Sequence, residues 1–384
     1  MPDLPPAPIQ RHYGLDWLRI GAFALLILFH VGLYFAPGHW IVKSPRPVEW
    51  AVWPLAAIVP WRLSVLFAVS GYATAAMIQR FPGLPAFLAE RSRRLLIPLL
   101  FGMAPQEWVR LDVSGINRPF SAFLAHGAFA FGQEAGAFMP GWEHLWFLPY
   151  LWLYTLLLAG LIALPARWRA RGGRAVAWLA GGRRLIWLPG VLIAAGMALL
   201  MRAHVPALAD SVDYLPAFLL GFAYAHRPAL RAAFRRHFGE ALALSLAMLA
   251  AIWGQMAFGS ADPGRIEELL VLAANGVMSW AMVPVAFTLA ECFLNRDHAW
   301  RRPLAAAVFP AYVVHQTAIV LVGWQLGRMG VVGLSAFAIQ LGAVLGACFA
   351  AWLLARRFAL LGILLGMPPK AARGPVAAQR LAPA

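Results

Sequence analysis

The first strongly apolar segment of the sequence carries two side chains that can take part in acyl or proton transfer. It contains Arg19 and His30, with ten residues between them. In an α-helix, eleven steps of about 100° bring a side chain back to within about 20° of its starting direction, about 16 Å further along the axis. The two side chains are therefore predicted to share one stripe of a helix. A guanidinium binds anions, whereas a histidine is a general base or a nucleophile near neutral pH.

Asp16 lies three residues before Arg19, on much the same face of this predicted helix. Its carboxylate can pair with the guanidinium. A structural interpretation remains open at this point, in which Asp16 and Arg19 form an ion pair at the membrane interface and His30 is a satisfied interior histidine.

The second apolar segment contains Arg62, which must face the interior of a helix bundle or extend its side chain towards the interface. The loop that follows ends in Arg91 and Arg94, just before Leu95 opens the next apolar segment. These two arginines are one helical turn apart and project together, which suits phosphate binding. Ordinary positive charge flanking a membrane span is the alternative interpretation.

Two further groups of polar residues interrupt apolar segments. Glu143, His144 and Trp146 stand at the start of the fourth segment, where they can bind a sugar by stacking and hydrogen bonding. Alternatively, Glu143 caps a helix and Trp146 anchors it in the interface. His315 and Gln316 lie about eleven residues into the ninth segment, hence near the middle of the membrane, as a site or as a helix-to-helix hydrogen bond.

The elements that must position these residues are membrane helices. Of the 384 residues, 61% are hydrophobic and only 12% are charged, which excludes a soluble enzyme, a disordered chain and a disulfide-stapled secreted module. A spanning helix needs about 20 apolar residues. We predict an all-α bundle of about ten transmembrane helices: 15–36, 51–79, 95–113, 144–164, 185–201, 205–225, 241–259, 268–294, 304–326 and 331–355. The third span carries Gln106, Glu107 and Arg110, and the sixth begins near Asp210 and Asp213, so a re-entrant or interfacial helix is the alternative for either.

The net charge of +16 follows the predicted topology. If the N-terminus is cytoplasmic, 23 of the 32 lysines and arginines fall on the cytoplasmic side and five on the other. The positive-inside rule then places both termini in the cytoplasm, and we expect no nucleic-acid partner. The four remaining basic residues lie within spans: Arg19, Arg62, Arg110 and Arg202.

In the type and order of these residues, the chain resembles membrane acyltransferase family 3, integral-membrane enzymes that O-acylate bacterial glycans. Arg19 and His30 match the family's motif of a basic residue, ten residues and a histidine in the first span, and Arg91 and Arg94 match its R-x-x-R motif. Further segments look like family segments in the right order: Leu15-Asp16, Arg62 to Ser70-Gly71-Tyr72, His144-Leu145-Trp146-Phe147-Leu148 and Tyr312-Val313-Val314-His315. The segments 11–16 and 39–44 look closest to the branch that adds succinyl groups to periplasmic glucans.

The resemblance implies a multi-pass enzyme of the bacterial inner membrane. Its donor is acyl-CoA, either acetyl-CoA or succinyl-CoA, with no metal, and its acceptor is a hydroxyl of an extracytoplasmic glycan or polysaccharide, with glycan-synthesis proteins as possible partners. The implied domains are a cytoplasmic segment (1–14), a transmembrane acyltransferase domain (15–355) and a cytoplasmic tail (356–384).

The resemblance also implies roles for the site residues. His30 acts as a base or carries the acyl group, and Arg62 or His315 stabilises the oxyanion. The remaining predicted residues bind the donor (Arg19, Arg91, Arg94) or the substrate (Asp16, Glu143, His144, Trp146).

A proton-coupled transporter is the alternative, with His30, Arg62 and His315 as a proton relay. The sequence shows no internal repeat of the kind found in many transporters, and it carries both arginine motifs, so the acyltransferase is the preferred hypothesis.

Overall fold

The computed structural model describes residues 12–129, 132–134, 137–139, 141–203, 209–260 and 264–368. The described chain is helical apart from one short antiparallel hairpin, in which β1 (Gly132–Glu134) pairs with β2 (Ala137–Met139). Its helices are α1 (Tyr13–Phe35), α2 (Val52–Ile58), α3 (Arg62–Ile78), α4 (Leu84–Val113), α5 (Phe120–His126), α6 (Phe147–Ala163), α7 (Ala166–Ala180), α8 (Arg184–Arg202), α9 (Ala209–His226), α10 (Pro228–Arg236), α11 (Phe238–Phe258), α12 (Arg265–Phe293), α13 (Arg301–Arg328), α14 (Gly333–Arg357) and α15 (Ala359–Leu364).

Eight helical segments of the described chain are long and apolar enough to cross a membrane, which indicates a multi-pass membrane protein. All eight coincide with predicted spans: Tyr13–Phe35, Glu49–Ile78, Glu143–Ala163, Arg184–Arg202, Phe238–Phe258, Arg265–Phe293, Arg301–Arg328 and Gly333–Arg357. The other two predicted spans fall on α4 and α9, which are helical but too polar to belong to this set.

Helix α4 differs from its prediction at its N-terminal end. The sequence indicated a loop up to Arg94 and a span from Leu95, but the helix begins at Leu84 and runs unbroken to Val113. Pro85 lies in the first turn, where proline is tolerated because the N–H groups there lack helical acceptors, and Pro98 and Pro105 lie inside the helix. Arg91 and Arg94 therefore project from a helix, one turn apart.

The chain divides into two compact units, each assembled from separate stretches. The first unit comprises residues 1–37, 48–88 and 153–305, and the second comprises residues 38–47, 89–152 and 306–384.

The first unit contains α1, α3 and α9, of which α3 and α9 approach each other very closely. A Cβ atom added to Gly71 in α3 would lie 1.9 Å from the carbonyl oxygen of Phe218, and one added to Gly221 in α9 would lie 1.8 Å from that of Ala68. Small residues at helix crossings let backbones approach closely, the usual way in which membrane helices associate. This contact fixes the register between α3 and α9.

The second unit contains most of α4 and α13. Gly102 of α4 gives room to Leu145 and Val313, whose side chains would lie 2.8 and 3.0 Å from a Cβ atom at that position. Short helix α5 buries Phe123 against Leu111 of α4. These contacts join α4 to Leu145, to α13 at Val313 and to α5 at Phe123.

Candidate active site

His30 lies in the C-terminal half of α1 and is half-buried. Its Nδ1 atom is 2.9 Å from the carbonyl oxygen of Leu26, one turn earlier. A carbonyl oxygen only accepts, so the neutral ring must carry its proton on Nδ1 and donate it to Leu26. The lone pair is therefore on Nε2, the atom available to take a proton or to attack a carbonyl carbon.

Phe29 contacts both His30 and Arg62 within the first unit. The Phe29 ring lies 5.4 Å from the His30 ring, and the Arg62 guanidinium carbon lies 3.8 Å above the centre of the same Phe29 ring. Arg62 begins α3, and its Nη1 donates to the carbonyl of Val59 at 2.8 Å. The cation–π contact and this hydrogen bond keep a positive charge beside the ring that precedes His30.

Arg19 and Asp16 lie towards the N-terminal end of the same uninterrupted helix. Arg19 donates to the carbonyl of Ala305 at 3.4 Å, while Asp16 accepts from Arg301 at 2.5 Å. Arg301 is fully buried, bonds Asp297 at 2.8 Å and lies over the Tyr13 ring.

Arg301 is one of the basic residues that the predicted topology places on the cytoplasmic side, and its contact with Asp16 was not predicted from the sequence. Hydrogen bonding from Arg301 is the main reason that the pKa of Asp297 is lowered.

Arg91 and Arg94 are neighbours on α4 in the second unit. Burial, and then the positive charge of Arg94, lower the pKa of Arg91 to about 9. Both causes oppose the charged guanidinium, so an anion at this position would stabilise it. Arg93 differs, because its guanidinium forms a bidentate ion pair with Glu90 at 2.8 and 2.9 Å. Arg93 is thus held by Glu90, whereas Arg91 and Arg94 lie close enough for the charge of one to lower the pKa of the other.

His144 and His315 meet inside the second unit, with ring centres 4.6 Å apart. His144 Nε2 and His315 Nδ1 lie 2.8 and 2.7 Å from the same carbonyl oxygen, that of Tyr312. Since this oxygen can only accept, both neutral rings donate to it, and their lone pairs are on His144 Nδ1 and His315 Nε2. The Tyr312 hydroxyl in turn donates to the His144 carbonyl at 2.5 Å.

Glu143 belongs to a buried ionic cluster with Glu107 and Arg110, which was not predicted from the sequence. Arg110 of α4 contacts Glu107 at 2.9 Å and Glu143 at 3.5 Å, and Gln316 is hydrogen-bonded to Glu143. Glu143 has a φ of 42°, a left-handed conformation that costs a non-glycine residue energy. Its side chain is therefore held by ionic contacts within this cluster, immediately before His144.

Trp146 completes the set of predicted residues in this unit. Its ring packs edge-on against Tyr150 at 5.4 Å. The missed members Glu107 and Arg110 were visible in the sequence only as polar interruptions of the third predicted span.

Comparison with known proteins identifies the sequence relatives of the chain. A family model described as an acyltransferase domain matches residues 12–356. Glucans biosynthesis protein C of Salmonella gallinarum is 29% identical over 333 residues, which cover 80% of this chain and 82% of that protein. The protein of the same name from Salmonella schwarzengrund is 28% identical over 388 residues, covering 94% and 96%. No solved structure matches significantly.

Proposed function

Because the chain belongs to acyltransferase family 3, we propose that it transfers an acyl group from cytoplasmic acyl-CoA to a hydroxyl of an extracytoplasmic glycan. The acyl group is acetyl or succinyl, and the protein works as a multi-pass enzyme of the bacterial inner membrane. The name shared by its relatives supports a glucan as the acceptor.

The hydrogen bond between His30 Nδ1 and the Leu26 carbonyl is the observation that carries this proposal. With Nε2 basic, His30 accepts the proton of the glycan hydroxyl while the oxygen attacks the thioester carbon. The tetrahedral intermediate then collapses, the carbon–sulfur bond breaks, and His30 returns the proton to the leaving thiolate. An ester and free CoA are formed without net uptake or release of protons.

A covalent route uses the same atom. Here Nε2 attacks the thioester, the carbon–sulfur bond breaks, CoA leaves as the thiolate, and the acyl group is held on the imidazole as an acylimidazolium. The glycan hydroxyl then attacks the acyl carbon, the carbon–nitrogen bond breaks, and the hydroxyl proton passes to the thiolate. Both routes require the tautomer that Leu26 selects.

Arg62 is the better candidate to stabilise the oxyanion. Its guanidinium is always a donor, and it lies over the ring of Phe29, next to His30. Neutral His315 donates its one proton to Tyr312, so its Nε2 accepts and offers no hydrogen bond to an oxyanion. We therefore assign the oxyanion role to Arg62 and keep His315 as a proton acceptor.

We assign the phosphates of the donor to Arg91 and Arg94 in the second unit, and we keep Arg19 of the first unit as a separate donor-binding candidate. Guanidinium groups suit this task because they form charge-assisted, bidentate bonds to phosphate oxygens. The lowered pKa of Arg91 supports this assignment, because a bound phosphate offsets both of its causes. We propose that Glu143, His144 and Trp146 bind the glycan. Asp16 is the fourth residue predicted to bind the substrate, and its carboxylate is held by Arg301.

The topology in this proposal has ten crossings and cytoplasmic termini. Helices α4 and α9 supply the two crossings beyond the eight apolar candidates. Residues 1–14 and 356–384 then flank a transmembrane acyltransferase domain, residues 15–355.

Purified protein incubated with radiolabelled acetyl-CoA or succinyl-CoA and periplasmic glucan tests the proposal. We expect label on the glucan with the wild type, and a loss of about 10²–10⁴-fold in the rate with His30→Ala. His126→Ala, a change at an exposed histidine of α5, is the matched control and should leave the rate unchanged. Wild-type rates in His30→Ala, or proton-driven flux of a substrate without loss of thioester, would contradict the proposal.

Rapid acid quenching followed by peptide mass spectrometry separates the two routes. Acyl mass on the peptide that contains His30 supports the covalent route, and its absence at a catalytically competent time point supports general base catalysis.

A further inference from the structure

Helix α7 connects two candidate membrane spans and is itself too short to cross a membrane. Helix α6 ends at Ala163 and α8 begins at Arg184, each at the end of a candidate span. The 15 residues of α7 measure about 22 Å, whereas the hydrocarbon core of a bilayer is about 30 Å thick. Because only two residues separate α7 from α6 and three separate it from α8, α7 must lie close to the surface of the membrane.

All charged side chains of α7 are positive. They are Arg167, Arg169, Arg171 and Arg174. No aspartate or glutamate occurs in the sequence between Glu143 and Asp210. Among the residues that the structure describes, no carboxylate forms an ion pair with these four arginines, whereas Arg183, just beyond the helix, pairs with Glu240 at 3.0 Å. The positive charge of α7 is therefore available to an anion from outside the described chain.

Three faces can be distinguished on α7 from the helical rotation of about 100° per residue. The first face is buried or half-buried against the protein: Gly173, Val176 and Ala180. The second, about 110° away, is the apolar face: Trp168, Ala175 and Leu179. The third, about 90° further round, is the basic face: Arg167, Arg171 and Arg174. The apolar face thus lies between the protein and the arginines.

Two tryptophans of α7 are exposed, and each has a guanidinium above its ring. Trp168 and Trp178 are 49% and 54% exposed. Arg171 lies 4.4 Å above the Trp168 ring, and Arg184 lies 4.2 Å above the Trp178 ring. Tryptophan is enriched at the level of the lipid headgroups, because one part of its ring system is apolar and the other is polar. The paired guanidinium groups are then at the level of the lipid phosphates.

The order of the faces suits a helix that lies in the membrane interface. Such a helix buries its apolar face at the boundary between headgroups and acyl chains, and its basic residues contact anionic lipids. In water, Trp168 and Ala175 would remain exposed, whereas contact with acyl chains removes their apolar surface from water.

We propose that α7 is an interfacial helix that binds the headgroups of anionic phospholipids. Its apolar face is directed towards the acyl chains, and the three arginines of its basic face contact the phosphates. These residues are distinct from those assigned to acyl transfer, so the proposal goes beyond the proposed function and does not depend on it.

Fluorescent labels at two exposed alanines of α7 test the orientation of the helix. Ala175 belongs to the apolar face, and Ala177 lies about 160° from it around the helix. Ala175→Cys and Ala177→Cys are made separately in full-length protein that carries Cys292→Ser, which removes an exposed native cysteine and supplies the blank. The labelled proteins are studied in lipid nanodiscs.

We expect a nitroxide on the lipid, close to the headgroup, to quench the label at Ala175→Cys, and acrylamide in the water to quench the label at Ala177→Cys. If acrylamide quenches both labels equally and the lipid nitroxide quenches neither, α7 faces water. The basic face would then be open to a soluble acidic partner, and the interfacial position proposed here would be wrong.

The label at Ala175→Cys also reports which lipid lies beside α7. At equal mole fraction, nitroxide-labelled phosphatidylglycerol should quench it more than nitroxide-labelled phosphatidylcholine, with a preference of about fivefold for each arginine that contacts a headgroup. Replacement of the basic face, Arg167→Gln/Arg171→Gln/Arg174→Gln, should make the two lipids quench equally. Equal quenching by the two lipids with the arginines in place would overturn the proposal.

Arg183→Gln is the matched control, because it removes an exposed arginine that is held by Glu240. It should leave the preference for phosphatidylglycerol unchanged, and a loss as large as that of the triple variant would show that overall charge, rather than α7, attracts the lipid. Inorganic phosphate or CoA should lower the preference no more than sodium chloride at the same ionic strength. Selective displacement of phosphatidylglycerol by either would assign the arginines to a soluble anion and refute the lipid site.

Discussion

Replacement of Arg91 and Arg94 should change donor binding and protein stability in different ways. Each guanidinium bond to a phosphate contributes about 1.5–3 kcal/mol, and 1.4 kcal/mol corresponds to tenfold in affinity. One alanine substitution should therefore weaken acyl-CoA binding about 10- to 100-fold, and the double substitution should weaken it further. Because Arg94 opposes the charge of Arg91, the relief of this repulsion offsets other lost contacts, and the melting temperature should change little.

Arg93→Ala is the matched control on the same helix. Arg93 is held by Glu90 in a bidentate, partly exposed ion pair. Its loss should cost about 0.2–1 kcal/mol of stability and leave donor affinity unchanged.

Titration calorimetry with CoA and thermal unfolding in detergent measure both quantities on the wild type, the two single variants, the double variant and Arg93→Ala. Unchanged CoA affinity in Arg91→Ala/Arg94→Ala, or an equal loss in Arg93→Ala, would refute the donor site placed here.

Two further predictions concern packing and pH. Gly221→Ala should lower the melting temperature, because its Cβ would lie 1.8 Å from the carbonyl oxygen of Ala68 and overpacking costs about 1–3 kcal/mol. Gly342→Ala in α14 is the control, since a Cβ there meets no atom within 4 Å and the melting temperature should not fall. Equal melting temperatures in the two variants would contradict the α3–α9 contact. Burial, and then Arg231, lower the pKa of His12, so as the pH falls below 6.5 the imidazole is protonated in the unfolded chain before it is protonated in the folded chain, and the free energy of unfolding should fall. Thermal unfolding between about pH 7 and pH 5.5 should show a smaller loss of stability in His12→Gln than in the wild type, with His126→Gln as the control. Parallel curves for His12→Gln and the wild type would refute this.

The sequence predicted the elements that carry local patterns. Helix α1 follows from an apolar run without proline or a charge after Arg19, and the spacing from Arg19 to His30 then requires no tertiary information. The length and order of the eight apolar spans follow in the same way. The tautomer of His30 follows from its hydrogen bond to the carbonyl one turn earlier, a local contact that was not predicted from the sequence.

The missed features depend on contacts between distant parts of the chain. Ser64 and Ser279 are 215 residues apart, and a serine in an apolar helix is common enough to carry no information until its partner is known. Asp213 appeared in the sequence only as a polar residue near the mouth of the sixth predicted span. Arg301 looked like a flanking charge, because its burial against Asp16 arises only when α1 and the start of α13 are folded.

The close contact between α3 and α9 has a consequence for biogenesis. Helix α9 is too polar to enter a lipid bilayer readily as an isolated segment, but α3 is synthesised about 130 residues earlier and offers it the glycine-lined surface at Gly71. We therefore expect α9 to move from the translocon into the bilayer only when α3 is already present beside it. Asp213 of α9 meets Ser279 only once α12 has been synthesised, so this buried contact is among the last in the first unit to form.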